Sequence, residues 1–318
     1  MSGHVIVLSD RNREPEAWAQ ARRRGLGGSE VAAACGLSRW RSPLEVWLAK
    51  LDLEQPPRQE SESMLWGHAL EEPIRAEVAK RLSLPVMPER GLFRATDPAF
   101  ALGSPDALVI DRETWMGVGE WKLVGPRMIG SWEEGPSIDA ELQLRWYLMI
   151  LGCARGWIGA LLGGVELQVF ELERDPEIEG LMVERARAFW RLVEDRTPPV
   201  IVGTQEERDA LRAAFPALAG EAPVELDWEA QMMLRRRAMA ILEEKEAEQR
   251  RLQAENELRL LLQGSRAGKV GDKVVLRLTE YERRTIDADA LRAVEPEIAE
   301  RFTKTTKADR WWTPKEKE

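Results

Sequence analysis

The sequence predicts an α/β fold in which a central mixed sheet is flanked by helices, followed by a C-terminal region of one long helix and a hairpin. Three observations support this fold class. Short apolar runs bounded by turn residues are typical of strands, and they occur throughout the first 200 residues. Between them lie segments with apolar residues at helical spacing. Beyond them lies a long segment rich in Glu, Arg, Leu and Ala, which favours a single helix.

The first domain is predicted over residues 1–200. It starts with an N-terminal helical region. The predicted elements that follow are a helix from about Met64, strands near 91–95, 100–110 and 115–123, a helix around Gln143, strands near 156–163 and 165–172, and a helix near 176–195. Prolines at 198 and 199 predict a linker after this domain.

The second domain, residues 201–318, is predicted to serve in DNA binding or oligomerisation. Asp227 is expected to cap a helix over about 228–263, Gly264 to end it, and residues 269–279 to form a hairpin. Leu234 and Ile241 lie seven residues apart, but glutamates occupy the next two positions of that register. We therefore expect a helix packed on its own domain rather than a long coiled coil.

Composition restricts the classes of protein to consider. The net charge of −9 argues against a general nucleic-acid coat, although residues 11–50 and 301–317 each carry a net charge of +4. With only Cys35 and Cys153, neither a disulfide framework nor a four-cysteine iron–sulfur cluster is available, which points to a reducing cytoplasm. We expect no signal peptide, no membrane-spanning segment and no membrane partner.

The most informative motif joins Asp106 to Glu120 and Lys122. Because residues i and i+2 of a strand project to the same face, Glu120 and Lys122 point into one site while Trp121 points into packing. A hairpin between the strands near 107–110 and 116–120 brings both carboxylates within reach of one cation. Oxygen ligands favour Mg²⁺ or Mn²⁺, with Lys122 orienting or deprotonating a water. This pattern is typical of a metal-dependent nuclease, although taken alone it also fits a cross-strand ion pair.

A second motif runs from Arg22 through Gly27-Gly28-Ser29 into a helix. Ser29 is expected to be the N-cap, and a glycine-flanked helix N-terminus binds anions. Arg22, with Arg24 and Arg41 nearby, would add phosphate contacts. An ordinary capped helix after a basic loop is the alternative.

Two further motifs lie on predicted helices. Trp66-Gly67-His68 opens a helix on which Glu71 would face the metal site, unless Glu71 merely offsets the helix dipole in the first turn. His68 is given no role. Gln143 is the polar exception on a core helix, and its amide offers both a donor and an acceptor to a water or phosphate oxygen.

Together these residues resemble the YqaJ-type viral recombinases, relatives of phage lambda exonuclease within the PD-(D/E)xK nuclease superfamily. The resemblance covers most of the chain. It is carried by Trp18, Arg22, Gly27-Gly28-Ser29, Gly67 through Glu71, Ser104-Pro105-Asp106, Glu120-Trp121-Lys122, Glu141 and Gln143, and more weakly by 283–287 and 304–310.

The resemblance implies a restriction-endonuclease-like core and a 5′ to 3′ exonuclease that leaves 3′ overhangs on double-stranded DNA ends for an annealing protein. It implies one or two Mg²⁺ or Mn²⁺ ions held by Asp106, Glu120 and the carbonyl oxygen of Trp121, with Glu71 acting directly or through a water. The remaining implied roles are Lys122 as the base or water-orienting lysine, Gln143 as the helix-borne amide, and Arg22, Gly28 and Ser29 as the 5′-phosphate site. From their own chemistry, Arg310 and Trp311 are expected to stack on a base or clamp the duplex, with simple packing of the tryptophan as the alternative.

It further implies a ring-shaped homo-oligomer such as a trimer, and a phage or prophage origin. Two other functions stay open. A structure-specific endonuclease or nickase on the same fold would cut covalently closed DNA. A non-catalytic DNA-end adaptor for an annealing protein is disfavoured by the intact Asp106, Glu120 and Lys122 set.

Overall fold

The computed structural model describes residues 5–10, 13–53, 61–111, 114–217 and 222–304. The chain forms two compact units, Met1–Glu221 and Ala222–Glu318. The predicted domain boundary at residue 200 therefore lies inside the first unit, where the segment Gln205–Ala214 packs on the helix Pro43–Lys50. The separate roles predicted for the two domains stay a prediction.

The first unit contains nine strands and seven helices within its described residues. The strands are β1 (Val5–Asp10), β2 (Leu26–Gly27), β3 (Val86–Pro88), β4 (Gly91–Ala95), β5 (Ala101–Gly103), β6 (Ala107–Asp111), β7 (Thr114–Val124), β8 (Arg155–Leu162) and β9 (Glu166–Glu173). The helices are α1 (Pro15–Arg23), α2 (Gly28–Ala34), α3 (Pro43–Lys50), α4 (Glu62–Leu82), α5 (Ile138–Leu151), α6 (Pro176–Glu194) and α7 (Gln205–Ala214), with a 3-10 helix at Pro126–Trp132.

The central sheet has five strands in the order β3-β6-β7-β8-β9. Strands β7 and β8 are parallel, and the other neighbours are antiparallel, so the sheet is mixed, as predicted. A parallel pair requires a crossover connection, and α5 supplies it between β7 and β8. A smaller sheet, in the order β1-β4-β5-β2, lies beside it in the chain's first unit.

Helices cover both faces of the central sheet, which confirms the predicted fold class. On one face, Ile74 and Val78 of α4 pack against Trp121 of β7. On the other, α5 lies over β7 and β8 in the main core, where Trp146 is fully buried. Gly159 of β8 lets α4 approach, because a Cβ there would lie 2.9 Å from Val78. Trp121 therefore points away from the site, as the strand alternation predicts.

Three local predictions are wrong. The N-terminal region is not only helical, because β1 pairs with β4 and β2 with β5. The single strand predicted over 100–110 is two strands in different sheets. Pro105 lies at the break, since a proline has no N–H to donate to a continuing ladder. The helix predicted from about Met64 begins two residues earlier, at Glu62, after the N-cap Ser61, so the motif Trp66-Gly67-His68 lies inside the helix and does not open it.

The second unit contains α8 (Trp228–Leu262), β10 (Ala267–Val270), β11 (Lys273–Arg277), α9 (Ala288–Val294) and α10 (Pro296–Phe302). The predicted cap is confirmed, because Asp227 Oδ1 accepts a hydrogen bond from Ala230 N at 3.1 Å. The hairpin is confirmed by the antiparallel pairing of β10 and β11. The expectation that α8 packs on its own domain is wrong, because none of its residues is buried. No helix among the described residues has the length and apolar character needed to cross a membrane.

Candidate active site

A cavity of about 610 Å³ opens between α4, α5, β7 and the segment that joins α1 to α2. It brings together residues from all four sequence motifs. Those that line it and were predicted to be functional are Arg22, Gly28, Ser29, Glu71, Asp106, Glu120, Trp121, Lys122 and Gln143.

Asp106 precedes β6 and is held by the neighbouring strand. Its backbone N–H donates to Gly119 O at 3.1 Å, and its Oδ2 accepts from Trp121 N at 2.8 Å. Because Ala107 pairs with Gly119, Asp106 lies beside Glu120 in the hairpin. The structure thus places the two predicted carboxylates together, as the hairpin predicts.

Glu120, Lys122 and Gln143 form a closed hydrogen-bond network. Lys122 Nζ lies 2.6 Å from Glu120 Oε1 and 2.9 Å from Gln143 Oε1. Gln143 Nε2 donates to Glu120 Oε1 at 2.7 Å and to Tyr147 Oη at 3.0 Å. The amide of Gln143 therefore fixes the carboxylate on one side and the ammonium on the other.

Burial and neighbouring charges shift the pKa values of Asp106, Glu120 and Lys122. Burial and the neighbouring Glu120 carboxylate raise the pKa of Asp106 well above its usual range. Burial also raises the pKa of Glu120, although Lys122 opposes that shift. Burial alone would lower the pKa of Lys122, but Glu120 and Asp106 raise it above its ordinary value, so this lysine is charged at neutral pH.

The donor set fits a hard divalent cation. Glu120 Oε2 is buried and accepts no hydrogen bond from the described residues, so one carboxylate oxygen is left for a ligand. Two adjacent carboxylates whose burial resists ionisation are stabilised by a cation between them. No three histidine, cysteine, aspartate or glutamate side chains in the described segments form a ligand cluster. Asp106 and Glu120 with the Trp121 carbonyl oxygen would leave the remaining positions to water, as Mg²⁺ prefers.

Glu71 lines the cavity from the third turn of α4. Its position in the middle of the helix removes the alternative that it offsets the helix dipole in the first turn. Its Oε1 lies 2.8 Å from His68 Nδ1, and its Oε2 accepts from Arg90 Nη1 at 3.0 Å. Both carboxylate oxygens thus have protein partners, which favours contact with a metal through water over direct ligation.

The residues predicted to bind a terminal phosphate enter the same cavity. Arg22 Nη2 donates to Ser29 Oγ at 3.0 Å, so the two side chains meet although they are seven positions apart in the sequence. Gly28 lies against the ring of Tyr147, and a Cβ there would be 2.4 Å from Tyr147 Cε1. Ser29 is not the N-cap, however. Helix α2 begins at Gly28 and is capped by Gly27, whose N–H donates to Glu30 Oε2.

The other predicted DNA contacts lie elsewhere. Arg24 is exposed and does not line the cavity. Arg41 is half-buried, does not line the cavity, and donates to Glu45 O at 3.1 Å. Arg310 and Trp311, with the rest of segment 305–318, lie outside the described residues.

Three cavity residues were missed by the sequence analysis. Tyr147 lies four residues after Gln143 on α5, so the helical repeat was a usable signal for it. Burial raises the pKa of Tyr147 well above its ordinary value, so its hydroxyl stays protonated. His68 was set aside as structural, yet it contacts Glu71. Arg90 had no local signal, because only the fold brings it to α4.

Comparison with known proteins agrees with the motifs. Residues 17–154 match the family model described as the YqaJ-like viral recombinase domain. The chain is 22% identical over 305 residues to the uncharacterized protein YqaJ of Bacillus subtilis (strain 168), covering 95% of this chain and 94% of that protein.

Solved structures similar to this chain include two exonucleases. The alkaline exonuclease LHK-Exo from Laribacter hongkongensis is 20% identical, with a TM-score of 0.46 over 57% of this chain and 94% of that one. A phage related exonuclease from Haemophilus somnus 129PT is 16% identical, with a TM-score of 0.41 over 54% of this chain and 94% of that one. The matched segment 17–154 holds every predicted site residue that lines the cavity. Residues 17–154 thus match the YqaJ-like viral recombinase domain, and the chain as a whole is similar to YqaJ.

Proposed function

We propose that the protein is a metal-dependent exonuclease that removes nucleotides from the 5′ strand of double-stranded DNA ends and leaves 3′ single strands. One observation carries the proposal. A single cavity contains a carboxylate pair with a lysine, suited to phosphodiester hydrolysis, and an arginine-serine pair, suited to a terminal phosphate. An enzyme that starts at a phosphorylated end requires both in one place.

The chain's own residues hold and orient the reacting groups. Asp106, Glu120 and the Trp121 carbonyl oxygen would bind Mg²⁺ or Mn²⁺, as one ion or two. The chemistry such an ion supplies is to acidify a water and to stabilise negative charge on the phosphate. Lys122, kept charged by the two carboxylates, orients the attacking water and attracts the scissile phosphate rather than removing a proton. Gln143 fixes Lys122 and Glu120 relative to each other.

The 5′-phosphate site sets the polarity in this proposal. The Arg22 guanidinium offers two parallel donors that match phosphate oxygens, and Ser29 Oγ adds a hydroxyl. A duplex end anchored there by its 5′-phosphate places the first phosphodiester of that strand toward Asp106 and Glu120. The 3′-ended strand has no terminal phosphate to anchor.

Two features of the proposal concern partners. A processive exonuclease is expected to act as a closed homo-oligomer that encircles the DNA, and we expect a trimeric ring. The 3′ single strand that it produces is expected to be bound by an annealing protein. Light scattering of the purified protein tests the oligomer. Co-purification with a single-strand annealing protein tests the partner.

The experiment compares linear and covalently closed circular duplex DNA, each incubated with Mg²⁺ or with EDTA. The proposal predicts mononucleotide release from the linear duplex with Mg²⁺ only, and an intact circle. Cutting of the circle would instead identify an endonuclease or nickase. Binding to ends without cleavage in either condition would identify an adaptor. Asp106→Asn serves as the matched inactive control.

A further inference from the structure

A buried ion pair lies directly behind the predicted phosphate site. Lys50 Nζ is 2.7 Å from Glu30 Oε2, and their side chains are only 4% and 10% exposed. Burying two charges rarely stabilises a fold more than apolar residues of the same size would. Stability alone therefore does not explain why Lys50 and Glu30 are buried together.

The pair joins three segments of backbone around Arg22. Lys50, at the end of α3, also donates to Arg22 O, at the end of α1, with an Nζ to O distance of 3.1 Å. Glu30, in α2, accepts from Gly27 N at 2.9 Å. The ion pair thus fixes the backbone on both sides of the Arg22 and Ser29 contact.

The Glu30 carboxylate can also compete with Ser29 and the 5′-phosphate for the Arg22 guanidinium. A Cβ placed on Gly27 would lie 3.1 Å from Arg22 Nη2 and 3.2 Å from Glu30 Oε2, so the guanidinium and the carboxylate approach the same point. Burial alone would raise the pKa of Glu30, but Lys50 and Arg22 hold it below its ordinary value. The carboxylate is therefore charged and requires a cation. Lys50 Nζ supplies it at 2.7 Å from Glu30 Oε2, whereas Arg41 Nη1 lies farther away, at 3.9 Å from Glu30 Oε1.

We propose that Lys50 is a positioning residue of the terminal-phosphate site: it occupies the Glu30 carboxylate, so that Arg22 stays at Ser29 and remains available to the 5′-phosphate. Without the ammonium, Glu30 would take Arg22 as its partner and draw the guanidinium out of the cavity. This inference rests on the proposed function, because it assumes that Arg22 and Ser29 receive the phosphate.

The test compares kcat/KM on duplexes with 5′-phosphate ends and with 5′-hydroxyl ends. Lys50→Met should lower the ratio of the two values about tenfold, through KM on the phosphorylated duplex, since one charge-assisted contact is weakened. Lys80→Met, at a lysine whose side chain is 79% exposed on α4, is the matched control and should leave the ratio unchanged. Lys50→Gln keeps a hydrogen-bond donor and gives the same test if the methionine variant does not fold.

A double variant separates positioning from a merely structural role. Lys50→Met with Glu30→Gln removes the competitor together with its partner, so the preference for 5′-phosphate should return toward that of the wild type. If Lys50 only supports the fold, the double variant should discriminate no better than Lys50→Met. That result, or an unchanged ratio in Lys50→Met, would overturn the inference.

The outcomes also distinguish this inference from the proposed function. A wild-type enzyme without preference for 5′-phosphate, or an Arg22→Gln variant that keeps the preference, would show that Arg22 and Ser29 do not bind the 5′-phosphate. If the wild type shows the preference and Arg22→Gln loses it, the site stands. The Lys50 variants then test the positioning role alone.

Discussion

The ammonium of Lys122 lies 2.6 Å from Oε1 of Glu120, two residues before it on the same strand. The contact leaves Oε2 of Glu120 without a protein partner among the described residues, beside Asp106. Glu120 thus holds Lys122 with its Oε1, and its Oε2 stays available to a ligand.

Lys122→Met should abolish most cleavage without loss of DNA-end binding. The variant keeps the length of the side chain but removes the charge that orients the attacking water and phosphate. We expect kcat to fall roughly 10²–10⁴-fold, the usual contribution of a positioned acid-base or electrostatic group. Digestion rates with Mg²⁺ and end-binding affinities measured in EDTA check this. A fall in affinity with kcat unchanged would contradict the role given to Lys122.

Asp106→Asn should stabilise the metal-free protein and remove its response to Mg²⁺. The asparagine can still accept from Trp121 N, while the buried repulsion with Glu120 disappears. We expect a gain of about 1–2 kcal/mol in the free energy of unfolding, comparable to relieving one unsatisfied buried group. Thermal unfolding with and without Mg²⁺ measures both effects. A Mg²⁺-induced rise in Tm that equals the wild type's would exclude Asp106 as a ligand.

Stability should depend on pH through the same carboxyl group. Because the pKa of Asp106 is higher in the folded protein than in the unfolded chain, the folded state binds its proton more tightly. Without metal, the free energy of unfolding should therefore fall as pH rises from the ordinary value of 3.8 through the folded pKa. Urea unfolding of the wild type and Asp106→Asn across this range checks the sign. Their difference should grow as pH rises and then level off.

Gly28→Ala should disturb the site through Tyr147. The added methyl group would lie 2.4 Å from the Tyr147 ring, which is itself bonded to Gln143. Overpacking of this kind costs about 1–3 kcal/mol and would move Gln143 away from Lys122. Tm and kcat should both fall. Gly180→Ala, in an exposed turn of α6 with no atoms near the new methyl, is the control and should raise stability by up to ~1 kcal/mol.

The grouping of Asp106, Glu120 and Lys122 was predictable because its geometry is local. The two-residue repeat of a strand places Glu120 and Lys122 on one face, and a single hairpin brings Asp106 beside them. Gln143 lies on α5, the next α-helix after β7, with the 3-10 helix Pro126–Trp132 between them. No long-range pairing has to be known for Asp106, Glu120 and Lys122.

The rest depends on contacts between distant segments. Ser29 is a favoured cap residue, but Glu30 caps the Gly27 N–H instead, because Lys50 holds that carboxylate in place. Arg90 reaches Glu71 only through the fold. Local propensity describes neither contact, since both join segments whose positions are set by tertiary structure.

The polarity of the proposed exonuclease is tested most directly with a linear duplex labelled separately at its 5′ ends and at its 3′ ends, digested with Mg²⁺. Label is expected to leave the 5′ ends first, as mononucleotides, while the 3′ label stays in a lengthening single strand. Arg22→Gln should slow the start of digestion on 5′-phosphorylated ends. Release of the 3′ label first, or of both labels at equal rates, would rule out resection of the 5′ strand.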